Sequence, residues 1–218
     1  TKLKLPDKPG VYFFIGSRRE ILYIGKATSL RDRVRSYFSN DLIKTRGPRI
    51  VDMVTKSVTV KWEETDSVLE ALILEANYIK KYKPPANTDG KDDKSYNYVV
   101  ITKEDFPRVL LVRGRELELK FPARKRRYLY GPFPHGGQLK EALKIIRKIF
   151  PFFDTRRAIT DIKSKHDKGK VLFNQQIGLY PNISTEEAKR EYARTINHLR
   201  LFFSGKKKAL LAQLEKEM

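Results

Sequence analysis

Apolar positions along the chain follow two different periods. Val11-Tyr12-Phe13-Phe14-Ile15 and Ile21-Leu22-Tyr23-Ile24 are short runs rich in aromatic and β-branched residues, separated by Gly16-Ser17-Arg18-Arg19-Glu20. Such runs around a Gly/Ser break predict a β-hairpin. Gly25 follows, and Leu30, Val34 and Phe38 then recur at helical spacing. Ser29, with Asp32 three residues on, is a capping-box start for that helix. Asn40 to Lys56 reads as a second helical stretch, with Pro48 near its start and Ile50, Val51 and Val54 apolar. Ser57 to Thr65 alternates Val58, Val60 and Trp62 with Thr59, Lys61 and Glu63, the pattern of a half-buried strand. Ser67 and Glu70 make a second capping box before the stripe Leu69, Leu72, Ile73, Ala76 and Ile79, which Lys83-Pro84-Pro85 stops. After the lead-in Thr1 to Pro9, the order is β-β-α-α-β-α.

Asn87 to Ser95 is polar and reads as a loop or boundary. Tyr96 to Thr102 and Arg108 to Arg113 predict a strand pair joined through Phe106-Pro107. Tyr128-Leu129-Tyr130-Gly131-Pro132 suggests a third strand ending in a turn. Leu139, Leu143, Ile146 and Phe150 mark a helix. Ser184, with Glu187 three residues later, caps another helix whose stripe is Tyr192, Ile196, Leu199 and Phe203. Gly205 breaks it, and Lys206 to Met218 reads as a last amphipathic helix. The expected fold class is α/β of the α+β kind. A small mixed sheet flanked by helices occupies residues 1–90, a basic strand–helix accessory region 91–151, and a helical region 152–218.

Composition adds a partner to this picture. The 218 residues carry a formal net charge of +20 with a pI near 10.0. Residues 1–94 hold 19 cationic and 13 anionic side chains, net +6, and residues 95–218 hold 27 and 13, net +14. A polyanion such as nucleic acid is the expected partner, with most of the phosphate attraction in the second half. Cysteine is absent, which excludes disulfides and thiolate metal sites. His135, His166 and His198 lack ligand spacing. No apolar run approaches the roughly 18 residues of a membrane span, and no signal peptide is apparent, so a cytoplasmic location is expected.

Few residues stand out chemically. Arg33 and Tyr37 are four apart and share a helix face. Glu75 interrupts Leu72-Ile73-Leu74-Glu75-Ala76 at the margin of a buried stripe. A carboxylate there needs a partner, either Lys26, Lys81 or a bound cation. Arg124-Lys125-Arg126-Arg127 is a run of four cations that either grips DNA or lies in a solvated loop, and Lys206-Lys207-Lys208 poses the same choice.

Gly10-Val11-Tyr12 followed by Tyr23-Ile24-Gly25 resembles the GIY-YIG nuclease family, named for these tripeptides. The longer run Leu5-Pro6-Asp7-Lys8-Pro9-Gly10-Val11-Tyr12, Tyr23-Ile24-Gly25-Lys26-Ala27 and Leu30-Arg31-Asp32-Arg33-Val34-Arg35-Ser36-Tyr37-Phe38 is similar to the UvrC branch, the incising subunits of bacterial nucleotide excision repair. Similarity continues in Lys91-Asp92-Asp93-Lys94-Ser95-Tyr96, Phe106-Pro107-Arg108, Gly131-Pro132-Phe133-Pro134, Ile149-Phe150-Pro151 and Phe202-Phe203-Ser204-Gly205-Lys206. The resemblance implies a metal-dependent endonuclease that hydrolyses a phosphodiester bond on the 3′ side of a lesion in double-stranded DNA, with UvrB, loaded by UvrA, as protein partner. It implies that Glu75 holds a single Mg²⁺ or Mn²⁺. Tyr23 matches the general base, assisted by Lys26. Arg33 matches the clamp on the scissile phosphate, and Tyr12 and Tyr37 match tyrosines that orient water or phosphate. Gly25 would let the substrate approach the backbone, and Asn87 would order the site. Lys26, Arg31, Arg35 and the run Arg124, Lys125, Arg126 and Arg127 are the expected DNA contacts.

One region departs from that family. UvrC proteins have cysteines for an iron–sulfur cluster in the segment matching Phe152 to Asn182, and none is present here. No cluster is expected. Leu172, Phe173, Leu179 and Tyr180 are expected to pack in its place. This loss leaves open a noncatalytic DNA-binding or assembly module, against which the retained Tyr12, Tyr23, Arg33 and Glu75 argue. A third class, a self-sufficient GIY-YIG endonuclease with sequence preference, is disfavoured by the lack of a helix-turn-helix or zinc-finger pattern after Asn87.

Overall fold

The computed structural model of the chain describes residues 4–38, 47–88 and 96–217. Residues 1–3, 39–46, 89–95 and 218 lie outside them. So do the first part of the predicted Asn40–Lys56 helix and most of the Asn87–Ser95 loop with its Lys91–Ser95 motif. The chain divides into two units, Thr1–Asp93 and Lys94–Met218.

In the first unit, β1 (Gly10–Gly16) and β2 (Ile21–Ala27) form the predicted hairpin, and β3 (Ser57–Glu64) pairs with the other side of β1. Both pairings are antiparallel, where a mixed sheet was expected. α1 (Leu30–Arg35) begins at Ser29, whose hydroxyl accepts the Asp32 N–H, and a 3-10 turn (Ser36–Phe38) continues it. α2 (Pro48–Lys56) leads into β3. α3 (Val68–Tyr82) starts at Ser67, whose hydroxyl accepts the Glu70 N–H, and ends on Lys83 in the left-handed region. A short helix, α4 (Pro85–Thr88), follows.

Alternation along β1 sends side chains to two cores. Tyr12 and Phe14 pack with Leu30, Val34 and Tyr37 of the α1 segment, with Met53 of α2 and with Ala86. Val11 and Phe13 pack on the opposite face with Ala71, Leu74, Tyr78 and Ile79 of α3. The sheet is thus covered on both faces. β3 departs from the predicted pattern at Val58, which is 66% exposed. Its partner register slips between Ile15 and Gly16, so Val58 falls at a bulge and loses its place in the alternation.

The second unit holds an antiparallel sheet with β4 (Asn97–Thr102) between β5 (Val109–Arg113) and β6 (Arg126–Phe133). α5 (Gly114–Lys120) was not anticipated. Leu117 and Leu119 alternate with charged residues as in a strand, yet Leu117 is buried against Val100 and Val112 while Leu119 is exposed. α6 (Gly136–Ile149) buries Leu139, Ala142 and Ile146. α7 (Lys165–Gln176) buries no residue, which is why no stripe announced it. Leu172 and Phe173 are each 59% exposed, so the expected packing at the cysteine-free segment is not formed by them. Tyr180 is buried there, edge-on to Phe153. α8 (Glu186–Phe203) buries the predicted stripe, but its cap is Thr185, whose hydroxyl accepts the Ala188 N–H, and not Ser184. Gly205, at φ 69°, closes it, with Lys206 N–H donating to Leu201 O and Gly205 N–H to Phe202 O. α9 (Lys207–Glu217) follows. Among the described residues no helix is long and apolar enough to cross a membrane.

Candidate active site

The site forms on β2, the edge strand of the first sheet. An open edge leaves backbone groups unpaired, and here side chains close it. The Asn87 amide accepts the Ile24 N–H at 2.8 Å and donates to Ile24 O at 2.8 Å, taking the place of a neighbouring strand. Two residues along, Glu75 Oε1 accepts the Lys26 N–H at 3.0 Å. The carboxylate that needed a partner thus has one in the Lys26 backbone. Glu75 is 3% exposed and its Oε2 is buried as well.

On the α1 face of the same hairpin stand three tyrosines. Tyr12 and Tyr37 are fully buried, with hydroxyls 2.8 Å apart. Tyr23 lies beside both, its ring 6.2 Å from each of theirs. Arg33 Nε donates to the Tyr12 hydroxyl at 3.3 Å, and its guanidinium carbon lies 5.7 Å from the Tyr37 ring centre. The sequence spacing of Arg33 and Tyr37 is what brings these two together. The Tyr12 and Tyr37 hydroxyls face each other in the interior.

Gly25 is packed tightly inside the fold. It pairs with Tyr12 across the hairpin, and a Cβ there would sit 2.3 Å from the Tyr12 hydroxyl oxygen and 2.4 Å from Cζ. The absent side chain makes room for the Tyr12 ring.

Burial holds the Tyr12 phenol well above its ordinary range, with Tyr23 and Tyr37 adding to the effect. Tyr23 is pushed up by burial first, then by Tyr37 and Glu75, while Arg33 pulls it down. Arg33 is the cation that lowers the Tyr23 phenol. Burial also lowers the Lys26 ammonium from its ordinary value, against the pull of Glu75 and with help from Arg33. These couplings place Glu75, Tyr23, Lys26 and Arg33 within one electrostatic neighbourhood.

Among the described residues no three His, Asp or Glu side chains gather as a metal cage. Among the described residues Glu75 is the carboxylate that a cation would meet here, and a single carboxylate suits a hard divalent ion that keeps several waters and accepts phosphate oxygens.

The expected DNA contacts are uneven. Arg35 is exposed, but Arg31 is tied to Asp7 at 2.7 Å and to Asp32 at 3.1 Å. Arg124, Lys125 and Arg127 are exposed. Arg126 is turned in at the start of β6, 12% exposed and paired with Glu118 at 2.7 Å, so the run presents three cations and not four.

Residues 8–88 match the family described as the UvrC-like GIY-YIG domain. Over 98% of its length the chain is 38% identical to UvrABC system protein C of Clostridium beijerinckii, of which it covers 33%. With its counterpart from Methanothermobacter thermautotrophicus the identity is 38% over 99% of the chain, covering 34% of that protein. The chain spans about a third of the length of these curated relatives. Among solved structures, the GIY-YIG N-terminal endonuclease domain of UvrC from Thermotoga maritima, bound to its catalytic divalent cation magnesium, is 35% identical. That match covers 39% of this chain and 90% of that one, with a TM-score of 0.35.

Proposed function

Residues 8–88 belong to the UvrC-like GIY-YIG family, and on that premise we propose that the chain is a divalent-metal-dependent DNA endonuclease of nucleotide excision repair, cutting one strand on the 3′ side of a lesion. The observation that carries this reading is the convergence of Tyr23, Lys26, Arg33 and the buried carboxylate of Glu75 around one strand edge.

Hydrolysis needs a water, a proton acceptor, stabilisation of charge on the phosphoryl oxygens and help for the leaving oxygen. Arg33 serves the phosphate. Its Nε is held by Tyr12, which aims the remaining guanidinium N–H groups as a fork for two oxygens. Lys26, half-buried beside it, adds a second cation to the same group. Tyr23 as phenolate takes the proton of the attacking water, whose oxygen bonds to phosphorus. The bond to the 3′-oxygen breaks, and that oxygen takes a proton from solvent water to leave as a 3′-hydroxyl, the other product being a 5′-phosphate. Glu75 would hold a divalent cation, Mg²⁺ or Mn²⁺, which would supply charge stabilisation at the leaving oxygen and offset the Glu75 carboxylate, a lesser cause than burial and Tyr37 of the raised Tyr23 phenol. Tyr12 and Tyr37 are positioning residues. The second unit would bind duplex DNA, UvrB would supply loading on damage, and the compartment would be the cytoplasm.

The test is nicking of an end-labelled, lesion-containing duplex in Mg²⁺, with and without a UvrA/UvrB loading system. EDTA and Glu75→Gln are the controls. One cut 3′ to the lesion, lost in both controls, is the expected result. Tight DNA binding without any cut would favour a noncatalytic scaffold, and a cut on the 5′ side would contradict the assignment.

A further inference from the structure

The second unit contains a cavity of about 960 Å³ lined by Arg147, Asp154, Arg156, Arg157, Lys170 and Tyr180 among others. Its size is at the upper end of the roughly 300–1,000 Å³ of ligand pockets, but its lining is charged where such pockets are mostly apolar. Four cations face it against two acids, Asp154 and Asp167. Asp154 is already engaged, accepting the Tyr180 hydroxyl at 2.6 Å and paired with Arg147. Arg156, Arg157 and Lys170 form no ion pair among the described residues.

One wall is set against the core, while Arg156, Arg157 and Lys170 are exposed. Arg147 is 18% exposed, lies 5.8 Å from the Tyr180 ring centre, and its Nε is buried without a hydrogen-bond partner. A buried guanidinium N–H left unsatisfied is costly, and this one is closed off from solvent. The loop carrying Arg156 and Arg157 is pinned from below. The buried Arg108 donates from one terminal nitrogen to Thr155 O and Arg156 O, both at 3.0 Å, and Glu104 holds it at 2.6 Å. Thr155 Oγ1 donates to Arg157 O at 2.7 Å. Lys170 comes from α7, which also turns Asp167, Val171 and Asn174 toward the cavity at helical spacing.

We propose that this cavity is a phosphate-binding site, with Arg147, Arg156, Arg157 and Lys170 as its ligands, large enough for a nucleotide or a short length of nucleic-acid backbone. Planar guanidinium forks match phosphate oxygens in pairs, and surplus positive charge with a pinned loop favours a dianion or polyanion over a neutral solute. The site does not rest on the nuclease reading.

The test uses the whole chain in EDTA, so that cleavage plays no part. Anisotropy of a labelled 20-base-pair duplex is measured across a salt series, and ATP and inorganic phosphate are titrated calorimetrically. The triple variant R156A/R157A/K170A is set against the charge-matched K140A/K206A/K208A, whose lysines lie outside the cavity. Arg147→Lys tests the buried fork, with thermal melting to confirm that it folds. The expected result is a loss of at least tenfold in affinity for the cavity triple and less than threefold for the control. The cavity triple should also flatten the salt slope by about 0.9 for each phosphate it no longer neutralises. Cavity-dependent duplex binding identifies backbone phosphate as the source, and cavity-dependent binding of ATP or phosphate alone identifies a free one. Equal losses in the two triples, or no cavity-dependent binding of any of the three probes, would overturn the proposal.

Discussion

The Tyr12 hydroxyl lies 2.8 Å from that of Tyr37 and accepts from Arg33. Tyr12→Phe removes both interactions at once, in a part of the core that water does not reach. It is expected to cost about 1–3 kcal/mol, read by urea denaturation, and to lower nicking more than duplex binding. Gly25→Ala forces a Cβ against the same ring and is expected to destabilise by about 1–3 kcal/mol through overpacking. Tyr12→Phe will not relieve it, because Cζ is as close as the oxygen. A rescued double variant would show that the hydroxyl alone sets the clash. At Tyr23 the sign of the pH dependence follows from the phenol. Its pKa is raised, so the phenolate is scarce at neutral pH and increases about tenfold per unit until the pKa is reached. Nicking is expected to climb across pH 6 to 9, and Tyr23→Phe to remove both the slope and most of the rate. A flat profile would assign the proton to another group.

Edge and end chemistry decides the elements. Asn87 stands in for a fourth strand beside β2, so Asn87→Ala exposes the Ile24 N–H and C=O. Amide exchange at Ile24 should quicken at least tenfold, with a stability loss of about 1–3 kcal/mol for two hydrogen bonds. Unchanged protection at Ile24 would mean that another group covers the edge. The start of α8 separates two neighbouring hydroxyls. Thr185→Ala should cost about 1 kcal/mol, because it removes the oxygen that accepts Ala188 N–H. Ser184→Ala should stay within a few tenths, since Ser184 lies outside that cap. A sequence window saw Ser184 and Glu187 at capping-box spacing. Thr185 and Ala188 have the same spacing without the acidic signature, and only the backbone path chose between them.

For the molecule as a whole, two bulk properties follow. Net charge of +20 makes any DNA affinity fall steeply with salt. Six tyrosines, Tyr12, Tyr23, Tyr78, Tyr130, Tyr180 and Tyr192, are raised chiefly by burial, Tyr78 and Tyr130 to about 12. In the unfolded chain they ionise near about 10. A raised folded value means that their contribution to stability is complete below pH 10 and is lost as pH rises through the folded values. Absorbance at 295 nm should show these six ionising only well above pH 10 or together with unfolding, and urea midpoints should fall over the same range. Ionisation of all six near pH 10 without unfolding would show that the phenols are not enclosed.

The residues themselves determined whatever is periodic or local. The hairpin, the Ser29 and Ser67 caps, the α3 stripe and the pairing of Arg33 with Tyr37 depend on neighbours within a few positions, and the pattern displays them. The ordered run from Gly10 to Phe38 likewise carried much of the chemical inventory of the site and its family. Pattern failed where burial is set from outside the segment, as at Val58 beside a bulge, at α5 with its strand-like alternation, and at α7 with no buried face. Tertiary structure alone decided that Gly25 makes room for Tyr12, that Asn87 closes a strand edge 63 residues away, and that Glu75 bonds a backbone N–H 49 residues away. It also decided that Arg126 turns inward and that Arg147 opens onto a cavity. Each of these depends on which distant groups share a small volume, and hydrogen bonding, desolvation and excluded volume are fixed only once that volume is assembled.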